Sequence, residues 1–341
     1  MPPIDPEDVP TAHDRIEAFL ASMGLNHPRP EVIALTADAS DRRYYRLLLP
    51  DARSLVVALH VGPITFATLP FARVGSLLAR MGLPVPEVIG HSDALGIVAL
   101  EDLGDVTLQA HLGGSSVTRQ MGLYREAVEL VVHLQREGRH YASSAELPYT
   151  LAFDVEKLGW ELRFFVTHFL EAHRGARLTP GDRAQLDAEW IAIAGELAAE
   201  PRVLCHRDYH SRNLMVHRGR LHLIDFQDAR LGPDTYDLVS LLRDSYVDID
   251  EVEVDELVAH FLALTQKVES PAEFRRRFDL MSVQRNLKAL GTFGFQATAR
   301  GNRTYLRDVP RTLEHVRGNL ERYDRFVRLH DLLAGHIEEL R

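Results

Sequence analysis

The chain has one cysteine, no lysine before Lys157 and no glycine in residues 36–41, where a loop joins its first two candidate strands. One cysteine excludes an intrachain disulfide and fits a reducing compartment. No apolar stretch approaches the ~20 residues that span a bilayer. The opening residues, MPPIDPEDVPTAHD, lack a basic segment followed by an apolar run, so no signal peptide is expected and the cytoplasm is the expected location. There is no basic surplus either. Lys and Arg number 39 against 49 Asp and Glu, a net charge of −10. That balance argues against a general nucleic-acid or anionic-membrane partner. No internal repeat or long low-complexity segment is present.

What is present is an ordinary globular composition, 45% hydrophobic and 26% charged over 341 residues. Ile16, Phe19 and Leu20 recur at helical spacing before Gly24. Val32–Leu35, Arg43–Leu49 and Ser54–His60 read as strands, Leu69–Met81 as a helix, and Gly96–Leu100 as a further strand. From Leu108 onward the pattern is mostly helical. Thr118–Arg136, Phe153–Phe165 and 181–199 read as helices, and so does almost everything from Glu251 to Arg341.

The most informative stretch runs from Val203 to Asp228. Val203-Leu204-Cys205 is a short apolar run, with Cys205 read as a packing residue. His206 to Asn213 is a loop of hydrogen-bonding side chains. Leu214–Val216 and Leu221–Ile224 flank Arg218-Gly219-Arg220, a hairpin signal, and Asp225 follows at once. This spacing supports phosphoryl transfer, which needs positioning and charge stabilisation more than covalent help. Asp208 is the candidate base or orienter for an acceptor hydroxyl. Asn213 and Asp225 are candidate oxygen ligands for Mg²⁺, whose shell substrate phosphates would complete. An isolated Asp in a loop is more often a turn former. It is the hairpin and the Ile224-Asp225-Phe226 end that make the combination specific.

His206-Arg207-Asp208 through Asn213, with Ile224-Asp225-Phe226, resembles the protein-kinase-like fold. Gly232-Pro233-Asp234-Thr235-Tyr236-Asp237-Leu238 resembles the matching element of its aminoglycoside phosphotransferase-like branch, where the residue matching Asp237 is structural. The expected fold is therefore α+β and two-lobed, with a small antiparallel-sheet lobe at 1–101 and a mostly helical lobe at 102–341. The resemblance implies ATP in the cleft. Adenine is expected near Glu101 and Leu103, and the phosphates under Ser40, Asp41 and Arg43. The third strand departs from protein kinases. Its Val57-Ala58-Leu59-His60 has no lysine, and the helix at 69–81 has no acidic partner for one. The two are absent together, which avoids an unpaired buried charge. Arg43, Arg46 and the backbone of Asp38–Asp41 are candidate replacements.

Thr36 to Arg46, Leu100 to Gly104, Gln284 to Gly291 with Phe293, Tyr305-Leu306 and Val309-Pro310-Arg311 resemble stretches of bacterial N-acetylmuramate/N-acetylglucosamine anomeric kinases of cell-wall recycling. The resemblance spans roughly residues 10 to 325, and those kinases lack the third-strand lysine too. It implies an ATP- and Mg²⁺-dependent kinase for the C1 hydroxyl of an N-acetylated amino sugar. Glu161 and Asp228 are candidate acceptor residues. Arg285, Lys288 and Arg311 are candidate partners for a lactyl carboxylate. Two alternatives stay open from the residues alone: a kinase for another small hydroxyl acceptor, and a non-catalytic nucleotide-binding pseudokinase.

Overall fold

The computed structural model describes residues 11–35, 42–112, 117–266 and 269–341. The expected loop at 36–41, with Ser40 and Asp41, lies outside them.

The small lobe starts with α1 (Ala12–Ser22), capped by a reciprocal pair between Thr11 and Asp14. Strands β1 (Glu31–Leu35), β2 (Arg43–Leu48) and β3 (Ser54–Leu59) follow, then α2 (Pro70–Arg80), β4 (Val88–Ser92) and β5 (Ile97–Glu101). The strands form one antiparallel sheet in the order β1-β2-β3-β5-β4. Ile16, Phe19 and Leu20 of α1 bury against Leu47, Val57 and Ile97 on one sheet face. Helix α2 packs elsewhere. Its Val74, Leu77 and Leu78 join Leu134, Leu204 and Phe226 of the large lobe in a separate apolar cluster. Each such side chain contributes roughly 1.5–3 kcal/mol on burial, so α2 is fixed to the large lobe by packing.

The large lobe holds α3 (Leu108–Leu112), α4 (Val117–His140), α5 (Val155–Phe165) and α6 (Pro180–Ala198). Strands β6 (Arg202–Cys205), β7 (Leu214–His217), β8 (Arg220–Leu223) and β9 (Arg230–Pro233) come next. Helices α7 (Tyr236–Leu242), α8 (Glu251–Thr265), α9 (Pro271–Ala299), α10 (Val309–Arg322) and α11 (Val327–Ala334) complete it. β7 and β8 form the expected hairpin, with Arg218 and Gly219 both at positive φ (49° and 78°), as a tight two-residue turn requires. β6 pairs with β9, a contact not expected from the short Arg-Leu-Gly-Pro run.

Helix α5 does not stop at Phe165. It continues as a π-helix over Val166–His173. Gly291 and Gly294 of α9 lie against this segment. A Cβ on Gly294 would come within 2.3 Å of the His168 carbonyl oxygen, and one on Gly291 within 2.8 Å of Phe165 Cα. The two helices meet backbone to backbone, and only glycine permits it. Among the described residues, no helix is long and apolar enough to cross a membrane.

Candidate active site

The loop between β6 and β7 is held from three sides. Asp237, at the start of α7, accepts the backbone N–H groups of His206 (2.6 Å) and Arg207 (3.0 Å). Burial raises the Asp237 carboxyl to about 7, and those two bonds oppose the rise. Asp244 accepts from the backbone and hydroxyl of Ser211 (2.9 and 2.5 Å). The Tyr209 hydroxyl donates to the Ala127 carbonyl at 2.8 Å. Arg207 sits at φ 86°, a conformation uncommon for a residue with a Cβ. The hydrogen bonds from Asp237 hold it there.

This framing presents Asp208. Lys288 of α9 places Nζ 3.2 Å from Asp208 Oδ1, and Arg207 places Nη1 3.8 Å from Oδ2. Burial pushes the Asp208 carboxyl up, but Lys288, Arg207 and Arg285 outweigh it and hold the group well below the usual carboxylate range. His206, fully buried beside it, is pulled down to about 4 by desolvation, against the pull of Asp208 and Asp225.

Asn213 donates Nδ2 to the Asp208 carbonyl at 2.9 Å, which leaves its Oδ1 as an acceptor. The same nitrogen lies 3.4 Å from Asp225 Oδ2, while Gln227 donates to Asp225 Oδ1 at 2.8 Å. Asp225 adopts φ 63°, turning sharply off the β8 end. Asn213 and Asp225 thus form a small set of hard oxygen donors. Among the described residues, no three His, Cys, Asp or Glu gather around one point. A donor set this sparse fits a divalent cation held mainly by phosphate oxygens and water, as Mg²⁺ is.

Asn213 and Asp225 line a cleft of about 380 Å³ between the lobes, together with Glu101, Leu103, Tyr44, Arg42 and Arg212. Glu101 and Leu103 therefore stand where the sequence puts them. Arg43 does not. Register pairs Tyr44 with Ala58 and Arg46 with Val56, and Tyr44, Arg46 and Val56 all line the cleft. The pleat then carries Arg43 to the opposite face, where it is exposed. The cleft-side cation at this end is its neighbour Arg42, which the sequence reading missed. Arg46 is engaged with the hinge: it binds Asp102 (2.7 and 3.0 Å) and Asp105 (2.7 and 2.8 Å). Where a third-strand lysine would stand is His60, pushed down in pKa by burial first and then by Arg42.

The acceptor-side candidates divide. Lys288 lines a small cavity of about 140 Å³ beneath the loop, with Asp208 and His210. Arg285 reaches that cavity too, but donates to the Arg207 carbonyl (3.1 Å) and the Tyr236 hydroxyl (2.8 Å) and holds the loop from below. Arg311 donates to the Ser245 carbonyl at 3.1 Å. Arg285 is mid-helix in α9, while Arg311 stands in the first turn of α10. Glu161 is only 2% exposed. Its carboxylate is clamped between α5 and α9 by Gln284 (3.0 Å) and Lys157 (3.7 Å), so it braces the wall rather than facing an acceptor. Asp228 is half-exposed and pairs with Arg207 (2.6 Å) and Arg230 (3.6 Å). A larger cavity of about 930 Å³ lies between α2 and α4 behind Phe226. It contains neither Asp208 nor Asn213 nor Asp225.

Comparison with known proteins gives the family and the fold. Residues 31–275 match the model of the Phosphotransferase enzyme family. An N-acetylmuramate/N-acetylglucosamine kinase of Neisseria meningitidis serogroup B is 35% identical over 304 residues, covering 87% of this chain and 88% of that protein. One of the same name from Pseudomonas aeruginosa is 32% identical over 328 residues, covering 94% and 92%. Among solved structures, an ADP-bound aminoglycoside phosphotransferase superposes with a TM-score of 0.58 at 16% identity, covering 89% of this chain and 98% of that one. A choline/ethanolamine kinase family protein from Mesorhizobium loti gives 0.59 at 18%, covering 97% and 99%. The structural matches carry the fold.

Proposed function

The chain belongs to the Phosphotransferase enzyme family, and from that membership we propose that it is an ATP-dependent kinase for the C1 hydroxyl of an N-acetylated amino sugar. N-acetylmuramate and N-acetylglucosamine are the acceptors named in its relatives. The lobes meet at residues 101 and 102, and the protein works where ATP is, in the cytoplasm, on sugars released from cell wall.

Asp208 receives the acceptor hydroxyl. A carboxylate held so far down in pKa is a weak base, but an anomeric hydroxyl is more acidic than an ordinary alcohol and needs little help. The low pKa also keeps Asp208 ionised, ready to orient the hydroxyl. Asn213 and Asp225 would hold Mg²⁺, which would offset charge on the nucleotide phosphates. Glu101 and Leu103 would bound the adenine, and Arg42 would face the phosphates. The intact trio of Asp208, Asn213 and Asp225 supports catalysis over a merely nucleotide-binding role.

The observation that carries the acceptor class is charge. Around Asp208 stand Arg207, Arg285 and Lys288, and beyond Arg207 stand Arg230 and Lys157. Against these five cations are four carboxylates: Asp208, Glu161, Asp228 and Asp237, the last raised to about 7 by burial. In a chain of net charge −10, this wall is locally positive. It suits an anionic or neutral sugar and disfavours a polycationic aminoglycoside.

The test is ATP consumption with Mg²⁺ against N-acetylmuramate, N-acetylglucosamine, glucose, choline, homoserine and kanamycin, with ³¹P NMR locating the new phosphate. The expected product is a 1-phosphate from the N-acetyl sugars. Turnover with another acceptor alone would overturn the acceptor assignment. Asp208→Ala should lower kcat by about 10²–10⁴ with ATP still bound, and near-full turnover would remove the base assignment.

A further inference from the structure

One face of α5 and its π-helical continuation carries an aromatic ladder that the catalytic set does not use. Trp160, Phe164 and His168 follow at four-residue steps. Their ring centroids are 5.2 Å and 4.1 Å apart in succession. Phe295 of α9 closes on Phe164 at 5.7 Å and on His168 at 5.0 Å. Trp160, at the end of the ladder, is 49% exposed. π-Helical insertions concentrate at functional sites, and an indole half in water is a surface prepared for an amphipathic partner.

Lys157 stands over that indole, its Nζ 4.0 Å from the ring centroid. Its carboxylate neighbour is Glu161, at 3.7 Å. Glu161 is itself tied to Gln284 of α9, and Gln284 is four residues from Lys288, the cation on Asp208. Gln284 and Lys288 are about one helical turn apart along α9, roughly 5.4 Å, and the Glu161 carboxylate acts on both Lys157 and Lys288. Arg207 and Arg230 act on Lys157 as like charges, while Glu161 pairs with Lys157, and Asp208 and Asp228 pair with the arginines.

Resting on the sugar-kinase reading above, we propose that Lys157 and Trp160 form the acceptor subsite that separates an anionic hexosamine from a neutral one. With C1 at Asp208, the apolar face of the pyranose lies along the exposed edge of the indole, whose face Lys157 covers. A carboxylate carried on the far side of the ring, as an ether-linked carboxyalkyl group at C3, pairs with the Lys157 ammonium. Glu161 keeps the ammonium in place while the carboxylate arrives. A hexosamine without that group still stacks but makes no ion pair. The subsite therefore sets preference between two acceptors of one ring, and leaves the phosphoryl-transfer groups untouched.

The experiment measures acceptor KM and kcat for N-acetylmuramate and N-acetylglucosamine with the full chain, Lys157→Gln, Lys157→Arg and Trp160→Phe. Lys157→Gln should raise the ratio of the two KM values, N-acetylmuramate over N-acetylglucosamine, by about tenfold. Lys157→Arg should restore most of it. An unchanged ratio in Lys157→Gln would overturn the proposal. A second readout needs no turnover. Of the two tryptophans, Trp190 is fully buried and Trp160 is not. N-acetylmuramate should quench the exposed indole, Lys157→Gln should weaken that quenching, and Trp160→Phe should abolish it. If neither sugar is phosphorylated, the kinase assignment fails. Quenching that depends on Lys157 would still uphold the subsite, and its absence would end it.

Discussion

The Lys288 ammonium lies 3.2 Å from Oδ1 of Asp208, so a helix of the large lobe supplies the cation nearest the candidate base. The pair is mid-helix on one side and mid-loop on the other, and both side chains are largely shielded from water. Lys288→Met leaves Asp208 with its burial and without its principal opposing charge. Its carboxyl then rises toward the ordinary range. The acid limb of the kcat/KM profile should move to higher pH, and kcat at neutral pH should fall by about 10–100-fold. Lys288→Arg should recover part of the loss. A pH–rate series on the three proteins checks both.

Asp225 meets Asn213 and Gln227 in the cleft and has no lysine or arginine hydrogen-bonded to it in the described structure. Asp225→Ala should therefore weaken binding of the metal–nucleotide complex, by about tenfold or more, and weaken metal-free nucleotide much less. Calorimetric titration of ATP with and without Mg²⁺ separates the two. Equal losses in both would mean that Asp225 contacts the nucleotide rather than the metal.

Arg46 ties β2 to the segment after β5 through four hydrogen bonds to Asp102 and Asp105. The Asp102 carboxylate is nearly buried. Arg46→Ala strands it, at a cost of about 3 kcal/mol. Asp105→Ala, at an exposed position, should cost under about 1 kcal/mol. Urea melts of the two variants should show this asymmetry.

Glu200 is buried between Thr235 and Arg277, each with a 2.9 Å contact. Burial raises its carboxyl from 4.5 to about 7, with Arg277 and Thr235 opposing. The folded chain thus keeps this proton at a pH where the unfolded chain has released it. The stability it contributes is full below 4.5 and disappears as pH rises through about 7. Relative to wild type, Glu200→Gln should gain about 1–3 kcal/mol between pH 5 and pH 8. Denaturant titrations at the two pH values measure that gain.

The fold and the catalytic loop were legible because their signals are local. A tight turn, an apolar alternation and an Asp–Asn spacing all lie within one stretch of chain. Arg43 was misplaced because no local signal in the sequence fixes the phase of β2, and one residue of phase exchanges the two faces of a strand. Glu161 was read as open to an acceptor because helical spacing does not reveal which neighbour covers a face. That depends on α9, more than a hundred residues away. The π-helical extension has the same origin, since Gly291 and Gly294 decide how closely α9 approaches. Lys288 was legible only as a candidate basic residue, and its pairing with Asp208 is a product of tertiary packing.

Helix α2 has a consequence for control. In signalling kinases the corresponding helix carries a glutamate that must swing onto a strand lysine, and that swing is the switch. Here both groups are missing, and α2 is seated on Leu134, Leu204 and Phe226 by apolar contact, with Arg73 and Arg80 bonded to Ala145 and Glu146 of the large lobe. Gly75 on the same helix leaves just enough room for the Phe226 ring, 3.1 Å from where a Cβ would stand. Neither Arg73 nor Arg80, the two charges of α2, lines the cleft between the lobes. An enzyme built this way lacks that particular switch: it idles or runs according to what its surroundings deliver. Its throughput should follow acceptor supply hyperbolically, without lag or threshold, like a valve fixed open.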